Sequence, residues 1–246
     1  MELLKQVGKY SLLMSKTFGK PEKLKVYRQR IVDEIDQLGI NSLGLIAIMS
    51  IFMGAVTTLQ MAVHLENPLV PKSLIGFATR ESMILEFSPT MMAVILAGKV
   101  GSNISSEIGT MRVKEQIDAL DIMGINSAGY LIFPKIISSL LIFPFLIIIS
   151  MALGIGGGYL ISILTGVVSP DLFVEGILDE FKPFHVFYAL IKTLVFAFII
   201  TSVSSFQGYY TSGGALEVGK SSTKGVVQST ILILIMDLVL TKLMLI

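Results

Sequence analysis

Five long apolar runs dominate the chain, and each approaches the length that a helix needs to cross a bilayer. They cover about residues 42–63, a stretch that starts between 74 and 83 and ends near 105, 130–153 with an extension to 164, 184–206 and 226–245. A transmembrane helix needs roughly 20 residues to cross roughly 30 Å of hydrocarbon. The pattern predicts an all-α polytopic membrane protein with five transmembrane helices, so its termini lie on opposite sides of the membrane.

Residues 1–40 precede the spans and carry two amphipathic helical patterns separated by Gly19-Lys20-Pro21. Apolar residues recur at helical spacing at Leu3, Val7, Tyr10, Met14 and Phe18, and again at Leu24, Tyr27, Ile31, Ile35 and Leu38. A basic helix with an apolar stripe suits the headgroup boundary of a membrane, and the alternative is a helical hairpin packed on the protein's own cytoplasmic side. The chain is therefore divided into N-terminal amphipathic helices at 1–40 and a five-span domain at 41–246.

The distribution of lysine and arginine predicts the orientation of the spans. Thirteen of the nineteen basic residues lie in residues 1–40, in the segment 106–129 with Lys135 just after it, and in the segment 207–225. Loops on the cytoplasmic side carry an excess of lysine and arginine. The N-terminus and these two segments are therefore predicted to be cytoplasmic, whereas the C-terminus and the loops near 64–73 and 165–183 face outward.

Composition supports the membrane class and excludes several chemistries. The chain is 53% hydrophobic and 15% charged, with a net charge of +1, whereas soluble domains are about 25% charged. The runs are continuous, which does not fit the alternating pattern of a membrane β-barrel. The charge balance gives no sign of a nucleic-acid partner. The absence of cysteine excludes a thiolate site, and the two histidines, His64 and His185, cannot form a metal site alone.

The segment 107–125, "EIGTMRVKEQIDALDIMGI", is the exception among the apolar runs. As one helix it places Lys114, Asp118 and Asp121 on one face and Val113, Ile117 and Leu120 on another. It is too charged to insert into a bilayer and too amphipathic for a plain spacer. Two interpretations remain open from composition, a short helix that docks on a cytoplasmic partner and a solvated connector.

Two motifs resemble functional signatures but are not interpreted as binding sites. The octapeptide "GALEVGKS" at 214–221 fits the phosphate-loop pattern, but the pattern needs a buried strand before it and an α/β domain around it, and here it stands between two spans. Nucleotide binding by this segment is therefore not expected. Gly154 with Gly158, and the row Ala97, Gly101 and Ser105, are interpreted as sites of close helix packing.

Charged residues inside the apolar runs are candidates for a functional site. They are Glu81, Glu86, Lys99, Lys192 and Asp237. Intramembrane charges usually face the bundle interior or a wet cavity, and the alternative is an internal ion pair or a charge that reaches the membrane surface. The alternative fits Lys99 and Arg80, whereas Glu86 and Asp237 lie deeper and are favoured as functional residues. Pro89 follows Glu86 by three residues and is expected to loosen the helix beside that acid.

Three stretches resemble one known family. The block "AGKVGSNISSEIGTMRVKEQIDALDIMGIN" at 97–126 resembles the signature of the MlaE-type permeases of lipid-transporting ABC systems. "FMGAVTTLQ" at 52–60 is similar to the first span of that family, and residues 195–241 are similar to its fourth span, cytoplasmic loop and fifth span. The resemblance covers about residues 42–246, and the residues before them look like the family's interfacial helix.

The resemblance implies the assembly and the function. Two permease copies form a homodimer, each binds one cytoplasmic ABC ATPase, and a ring of MCE-domain proteins lies on the outer face. The complex moves phospholipid between the inner membrane and the periplasmic side of the outer envelope. ATP is bound by the ATPase, so the permease is expected to have no catalytic residue, cofactor or metal of its own. A chloroplast version of the family exists, but without a transit peptide a bacterial inner membrane is expected.

The resemblance also assigns site residues. The segment 107–120 corresponds to the coupling helix that grips the ATPase, with candidate contacts at Glu107, Met111, Arg112, Glu115, Gln116, Asp118 and Leu120. The lipid path is expected near Leu59, Gln60, Arg80, Leu85 and Glu86. The family often has Arg-Glu-Leu-Gly-Pro in its second span, whereas this chain has "LEFSP" at 85–89, so Arg80 is the candidate to replace the missing arginine.

Two other functions remain as alternatives. An ion-coupled secondary transporter would use Glu86, Lys192 and Asp237 as a relay, and it would be expected to contain inverted repeats. No such self-similarity is visible in the five spans. A scaffold without transport activity is the third interpretation, and it leaves the intramembrane charges unexplained.

Overall fold

The computed structural model describes residues 2–19, 24–65 and 69–245. Lys20 and Pro21, the predicted separator of the first two helices, lie outside this part, as do residues 66–68 of the predicted outward loop. Every regular element among the described residues is helical. The α-helices are α1 Glu2–Thr17, α2 Leu24–Ile35, α3 Asn41–His64, α4 Ser73–Ser82, α5 Met92–Leu96, α6 Ser102–Val113, α7 Gln116–Ile122, α8 Ser127–Thr165, α9 Pro170–Leu178, α10 Pro183–Tyr209 and α11 Ala215–Met244.

Five continuous helical stretches are long and apolar enough to cross a membrane, which confirms the predicted number of spans. They are Tyr27–His64, Ser73–Val113, Ser127–Thr165, Pro183–Tyr209 and Ala215–Met244. The first two are longer than predicted because π-helical segments join their α-helices without a break. Hydropathy detects only the apolar part of such a helix, so polar turns at either end are missed.

The start of the fifth span shows this most clearly. Sequence predicted a cytoplasmic loop over 207–225, but α11 already begins at Ala215. Its first turns carry Glu217 and Lys220, which form an ion pair with an N–O distance of 2.6 Å. A charged pair three residues apart supports a helix outside hydrocarbon. The helix therefore extends beyond the apolar run that revealed it.

Residue contacts divide the chain into two compact units, each made from parts of the long helices. The first unit comprises Met1–Asn41, Val94–Phe143 and Val195–Val239, and the second comprises Ser42–Ala93, Pro144–Leu194 and Leu240–Ile246. The two units are described separately below.

Serine and glycine positions bring helices close together in the first unit. Ser102 and Ser105 of α6 share hydrogen bonds with Ser222 and Ser221 of α11, with O–O distances of 2.7 and 3.3 Å. A Cβ on Gly101 would lie 2.7 Å from Oγ of Ser204 in α10. The small-residue row that includes Gly101 and Ser105 is thus a packing surface, as predicted.

The second unit has closer backbone contacts. A Cβ on Gly54 of α3 would overlap the carbonyl oxygen of Gly154 in α8. Helices α4 and α9 also pack closely, because Gly176 and Gly76 each face backbone of the other helix. The prediction that Gly154 belongs to a packing surface is confirmed.

The helix around Glu86 departs from α geometry. Residues Met83–Met91 form a π-helical segment that contains both Glu86 and Pro89. Proline lacks an N–H group and its ring collides with the preceding turn, which a wider helical turn relieves. The expected loosening beside Glu86 therefore takes the form of a π-helical segment, a feature often found at functional sites.

Candidate functional site

The segment predicted as one coupling helix consists of two helices. Helix α6 ends at Val113, Glu115 has a φ of 59° in the left-handed region, and α7 begins at Gln116. The break explains the ion pair between Arg112 and Asp118, whose N–O distance is 2.7 Å. Residues six apart lie on different faces of a continuous helix, so this pair requires the change of direction at Glu115.

The break also changes which side chains are exposed. Ile117 is fully buried, whereas Glu115 and Gln116 are exposed and Met111, Asp118 and Leu120 are half-buried. At the far end of α7, Ile122 is 87% exposed and Met123 is 65% exposed. Sequence reasoning missed these two because their apolar character alone suggested burial. The segment thus presents an apolar tip next to a charged, half-exposed helix.

Glu107, the first predicted coupling residue, is anchored in the first unit by a buried lysine. Nζ of Lys135, on α8, lies 2.7 Å from Oε2 of Glu107 and 2.6 Å from Oε1 of Glu34 on α2. The Lys135 side chain is 1% exposed. A buried ammonium is stable only when it is paired and hydrogen-bonded. Sequence reasoning assigned Lys135 only a topological role and did not single out Glu34.

Helix α1 contacts the same region. Nζ of Lys16 lies 3.6 Å from Oδ1 of Asp121, and the Asn126 side chain donates a hydrogen bond to the Lys16 carbonyl at 2.7 Å. The predicted apolar face is only partly correct, because Met14 is buried but Val7 is 54% exposed. The contacting face includes Leu13 and Thr17 instead. The side chain of Leu3, which was also predicted on this face, lies outside the described residues.

In the second unit, Glu86 is paired with Lys192. Nζ of Lys192, on α10, lies 3.1 Å from Oε1 of Glu86 and donates a hydrogen bond to the Leu85 carbonyl at 3.1 Å. The lysine side chain is fully buried, whereas the Glu86 side chain is 46% exposed. The hydroxyl of Thr90 donates to the other Glu86 oxygen at 3.2 Å. The structure therefore unites Leu85, Glu86 and Lys192 in one polar site within an apolar chain.

Arg80 makes polar contacts with Glu81 and with the end of α9. Its guanidinium forms an ion pair with Glu81 at 2.7 Å and donates to the carbonyls of Ile177 and Asp179 at 2.6 and 2.7 Å. Arginine presents several donors in a fixed fork, which suits the carbonyls at the end of a helix. Arg80 thus closes the C-terminal end of α9, and Lys192 is the cation that Glu86 contacts.

The remaining predicted residues lie at separate positions. On α3, Leu59 is half-buried and Gln60 is exposed. Lys99 is exposed and donates a hydrogen bond to the carbonyl of Asn41, in agreement with the alternative of a charge at the end of a span. Asp237 is half-buried on α11.

The segment 214–221, which matches the phosphate-loop pattern, lies at the start of helix α11. Gly213 has a φ of +115°, and the chain is helical from Ala215 onward, so the residues 215–221 are the first two turns of α11. The preceding element is the helix α10, whereas a phosphate loop follows a strand. No group of three or more His, Asp or Glu residues in the described part could hold a metal ion.

Comparison with known proteins places the chain in a family. The family model Permease MlaE matches residues 31–243. A probable ABC transporter permease protein of Rickettsia bellii is 33% identical over 243 residues, which cover 99% of this chain and 93% of the relative. One from Synechocystis is 34% identical over 220 residues, covering 89% and 83%. The chloroplastic protein Trigalactosyldiacylglycerol 1 of Arabidopsis thaliana is 32% identical over 220 residues, covering 89% and 63%. These matches and the five long apolar helices show that the chain is a multi-pass membrane protein and belongs to the MlaE family of ABC transporter permeases.

Proposed function

We propose that this permease moves phospholipid between the inner membrane and the periplasmic side of the envelope, driven by a separate ATPase. The observation that carries the proposal is the Glu86–Lys192 pair. It combines a buried cation with a half-exposed carboxylate at a π-helical segment inside an apolar span. Such a site presents the Glu86 carboxylate to a lipid headgroup, the buried Lys192 holds that carboxylate in place, and the surrounding apolar side chains suit acyl tails.

The family relationship supports this substrate class. The name of the Arabidopsis relative contains trigalactosyldiacylglycerol, a lipid with two acyl chains. ABC permeases are driven by ATPase partners. Membership of this family therefore does not favour the alternative of an ion-coupled secondary transporter. In this proposal ATP is bound only by the partner, and the permease has no ATPase site.

The segment 107–120 is the proposed contact with the ATPase, together with the exposed Ile122 and Met123 that follow it. Arg112 and Asp118 hold the angle between α6 and α7. Movement of the ATPases would be transmitted through Glu107 to Lys135 and the helices that it joins. This proposal places the N-terminus in the cytoplasm and the C-terminus in the periplasm.

The assembly is proposed to be a homodimer with two ATPases and a periplasmic ring of MCE-domain proteins. Helix α11 is the proposed dimer contact, because only 11% of its most apolar stretch is buried within the chain and a second copy could cover the rest. Its exposed apolar residues include Leu234, Ile235 and Leu238. The dimer interface is proposed to supply the pocket for the two acyl tails, with Leu59, Gln60, Leu85 and Glu86 on the lipid path.

The test uses the complex of permease and ATPase in proteoliposomes, with ATP-dependent transfer of a fluorescent phospholipid as the readout. Lys192→Met is expected to lower the transfer rate at least about ten-fold, since one lost charged hydrogen bond corresponds to about 1.5–3 kcal/mol. Lys192→Arg should retain part of the activity. Lys182→Met, at an exposed position after α9, is the matched control.

A further variant separates a headgroup contact from a structural pair. Lys192→Met combined with Glu86→Met removes both charges and leaves neither unpaired. Loss of transfer in this correctly folded double variant supports headgroup binding, whereas normal transfer would show that the pair serves only folding. Transfer that continues without ATP and follows an ion gradient would contradict the ABC mechanism itself.

A further inference from the structure

The first unit contains an apolar groove that the proposed transport path does not use. The groove has a volume of about 420 Å³ and lies between α1, α10 and α11. Its size falls within the roughly 300–1,000 Å³ of small-ligand pockets. The walls include Val7, Tyr10, Phe198, Ile199, Phe206 and Ile231.

The side chains that line the groove are mostly apolar. The Tyr10 hydroxyl already donates a hydrogen bond to Oγ of Ser202 at 2.8 Å, and burial raises the pKa of this phenol, so it remains neutral. At the mouth, Val7 is 54% exposed, Ile231 is 53% exposed and Leu232 is 40% exposed. An occupant that covers these side chains must itself be apolar along most of its length.

A basic hollow on α11 shares one wall residue with the groove. Gln228 lines both the groove and an adjoining hollow of about 430 Å³, whose other walls include Lys220 and Lys224. Gln228 accepts a hydrogen bond at Oε1 from Gln207 at 2.6 Å, so its own N–H groups are the donors that it can offer to a ligand. Lys220 is paired with Glu217, the acid at this rim, at 2.6 Å, and Lys224 is exposed.

The cations at this end of the groove belong to α11, where Lys220 and Lys224 lie one helical turn apart. A lysine or arginine side chain near the surface of an anionic membrane is attracted to it by about 1 kcal/mol.

We propose that this groove binds one anionic phospholipid of the surrounding bilayer, separate from the transported lipid. One acyl chain lies in the groove against Tyr10 and Ile199. The phosphate lies at the hollow, where Lys220, Lys224 and the amide of Gln228 meet it. The bound lipid fills the gap between α1 and the spans α10 and α11. The argument for this occupant is the match between an apolar groove and a cationic rim.

The test measures lipid retention by the full-length permease–ATPase complex without ATP. The complex is purified from nanodiscs that contain equal amounts of phosphatidylglycerol and phosphatidylcholine, and native mass spectrometry counts the lipids that remain bound. The wild type is expected to retain more phosphatidylglycerol than phosphatidylcholine. Lys220→Gln combined with Lys224→Gln should lower that retention on the order of thirty-fold, and Val7→Trp should block the groove mouth.

Matched controls lie on the same helices but not in the groove lining. Lys242→Gln removes a charge from α11, and Leu12→Trp adds an indole at a position on α1 that is 71% exposed. Both should leave retention unchanged. Lys192→Met should also retain the groove lipid, so a failure of this proposal and a failure of the transport proposal are distinguishable.

A photoreactive benzophenone side chain at position 7 identifies the occupant directly. Crosslinks to phosphatidylglycerol support the proposal. Crosslinks to a second copy of the chain would show that the groove is a protein interface and would overturn it. Equal retention of both lipids, or retention that does not change in the lysine variant, would also overturn it, because the groove would then hold only bulk lipid.

Discussion

Nζ of Lys135 lies 2.7 Å from Oε2 of Glu107, and the same atom lies 2.6 Å from Oε1 of Glu34. One buried ammonium thus joins the start of the first membrane-length stretch, the end of the second and the start of the third. The hydroxyl of Ser138, one turn further along α8, donates to the carbonyl of Ile31 at 2.9 Å and reinforces the same junction. In the proposed mechanism, force from the ATPase enters the spans through this cluster.

Replacing Lys135 by methionine should destabilise the protein strongly. The substitution leaves two carboxylates facing each other, and removal of one partner of a buried ion pair costs about 3–5 kcal/mol. The midpoint of thermal unfolding in detergent should fall clearly relative to wild type. Adding Glu34→Gln should recover part of the loss. Lys114→Met, at an exposed position, is the control, and equal midpoints for both lysine variants would contradict the assignment.

The left-handed backbone at Glu115 should make the stability of the protein depend on the shape of the side chain at this position. With a φ of 59°, this position tolerates asparagine, which adopts the left-handed region readily, whereas isoleucine should cost about 1–2 kcal/mol. Thermal unfolding of Glu115→Asn should therefore match wild type or exceed it, and Glu115→Ile should unfold at lower temperature. Gln116→Ile, one residue later inside α7, is the control. Similar stability of the two isoleucine variants would mean that the helix is continuous here.

The apolar tip of α7 should contribute to ATPase binding. Ile122→Ser together with Met123→Ser removes two exposed apolar side chains without disturbing a buried contact. We expect the ATPase to co-purify at least about ten-fold less, since burying each such side chain is worth about 1.5–3 kcal/mol. Leu178→Ser, exposed at the end of α9, is the control. Full recovery of the ATPase with the double variant would place its binding site elsewhere.

The contact between Gly54 and Gly154 predicts a large effect of a single methyl group. Gly54→Ala forces a Cβ onto the Gly154 carbonyl, and backbone cannot move aside as a flexible side chain can. Overpacking of this kind costs about 1–3 kcal/mol or more. Gly44→Ala, on the same helix with open space around it, should be neutral or stabilising by up to about 1 kcal/mol. Yield and unfolding temperature of the two variants provide the comparison.

Several features of the site were predictable from local sequence. The unbroken apolar runs required membrane helices, because no other structure satisfies the backbone in hydrocarbon. Pro89 three residues after Glu86 indicated a disturbed helix, and the structure has a π-helical segment there. The small residues Gly101 and Ser105 indicated close packing, which the structure confirms.

Other features could not be predicted because the interacting residues are far apart in the sequence. Lys192 meets Glu86 across 106 positions, and Lys135 meets Glu34 across 101. The partners of Arg80 were unpredictable for the same reason, since only the position of α9 decides that its guanidinium meets the carbonyls of Ile177 and Asp179.

Local sequence was enough to predict a helical chain with five helices long and apolar enough to cross a membrane, and a charged segment between the second and the third of them. These properties depend on hydropathy and helical period, which act over neighbouring residues. Tertiary structure alone decided which charges pair, where the charged segment bends at Glu115 and where an apolar groove remains open beside Lys224. Ion pairs and cavities depend on distances between separate helices, and those distances are set by packing of the whole fold.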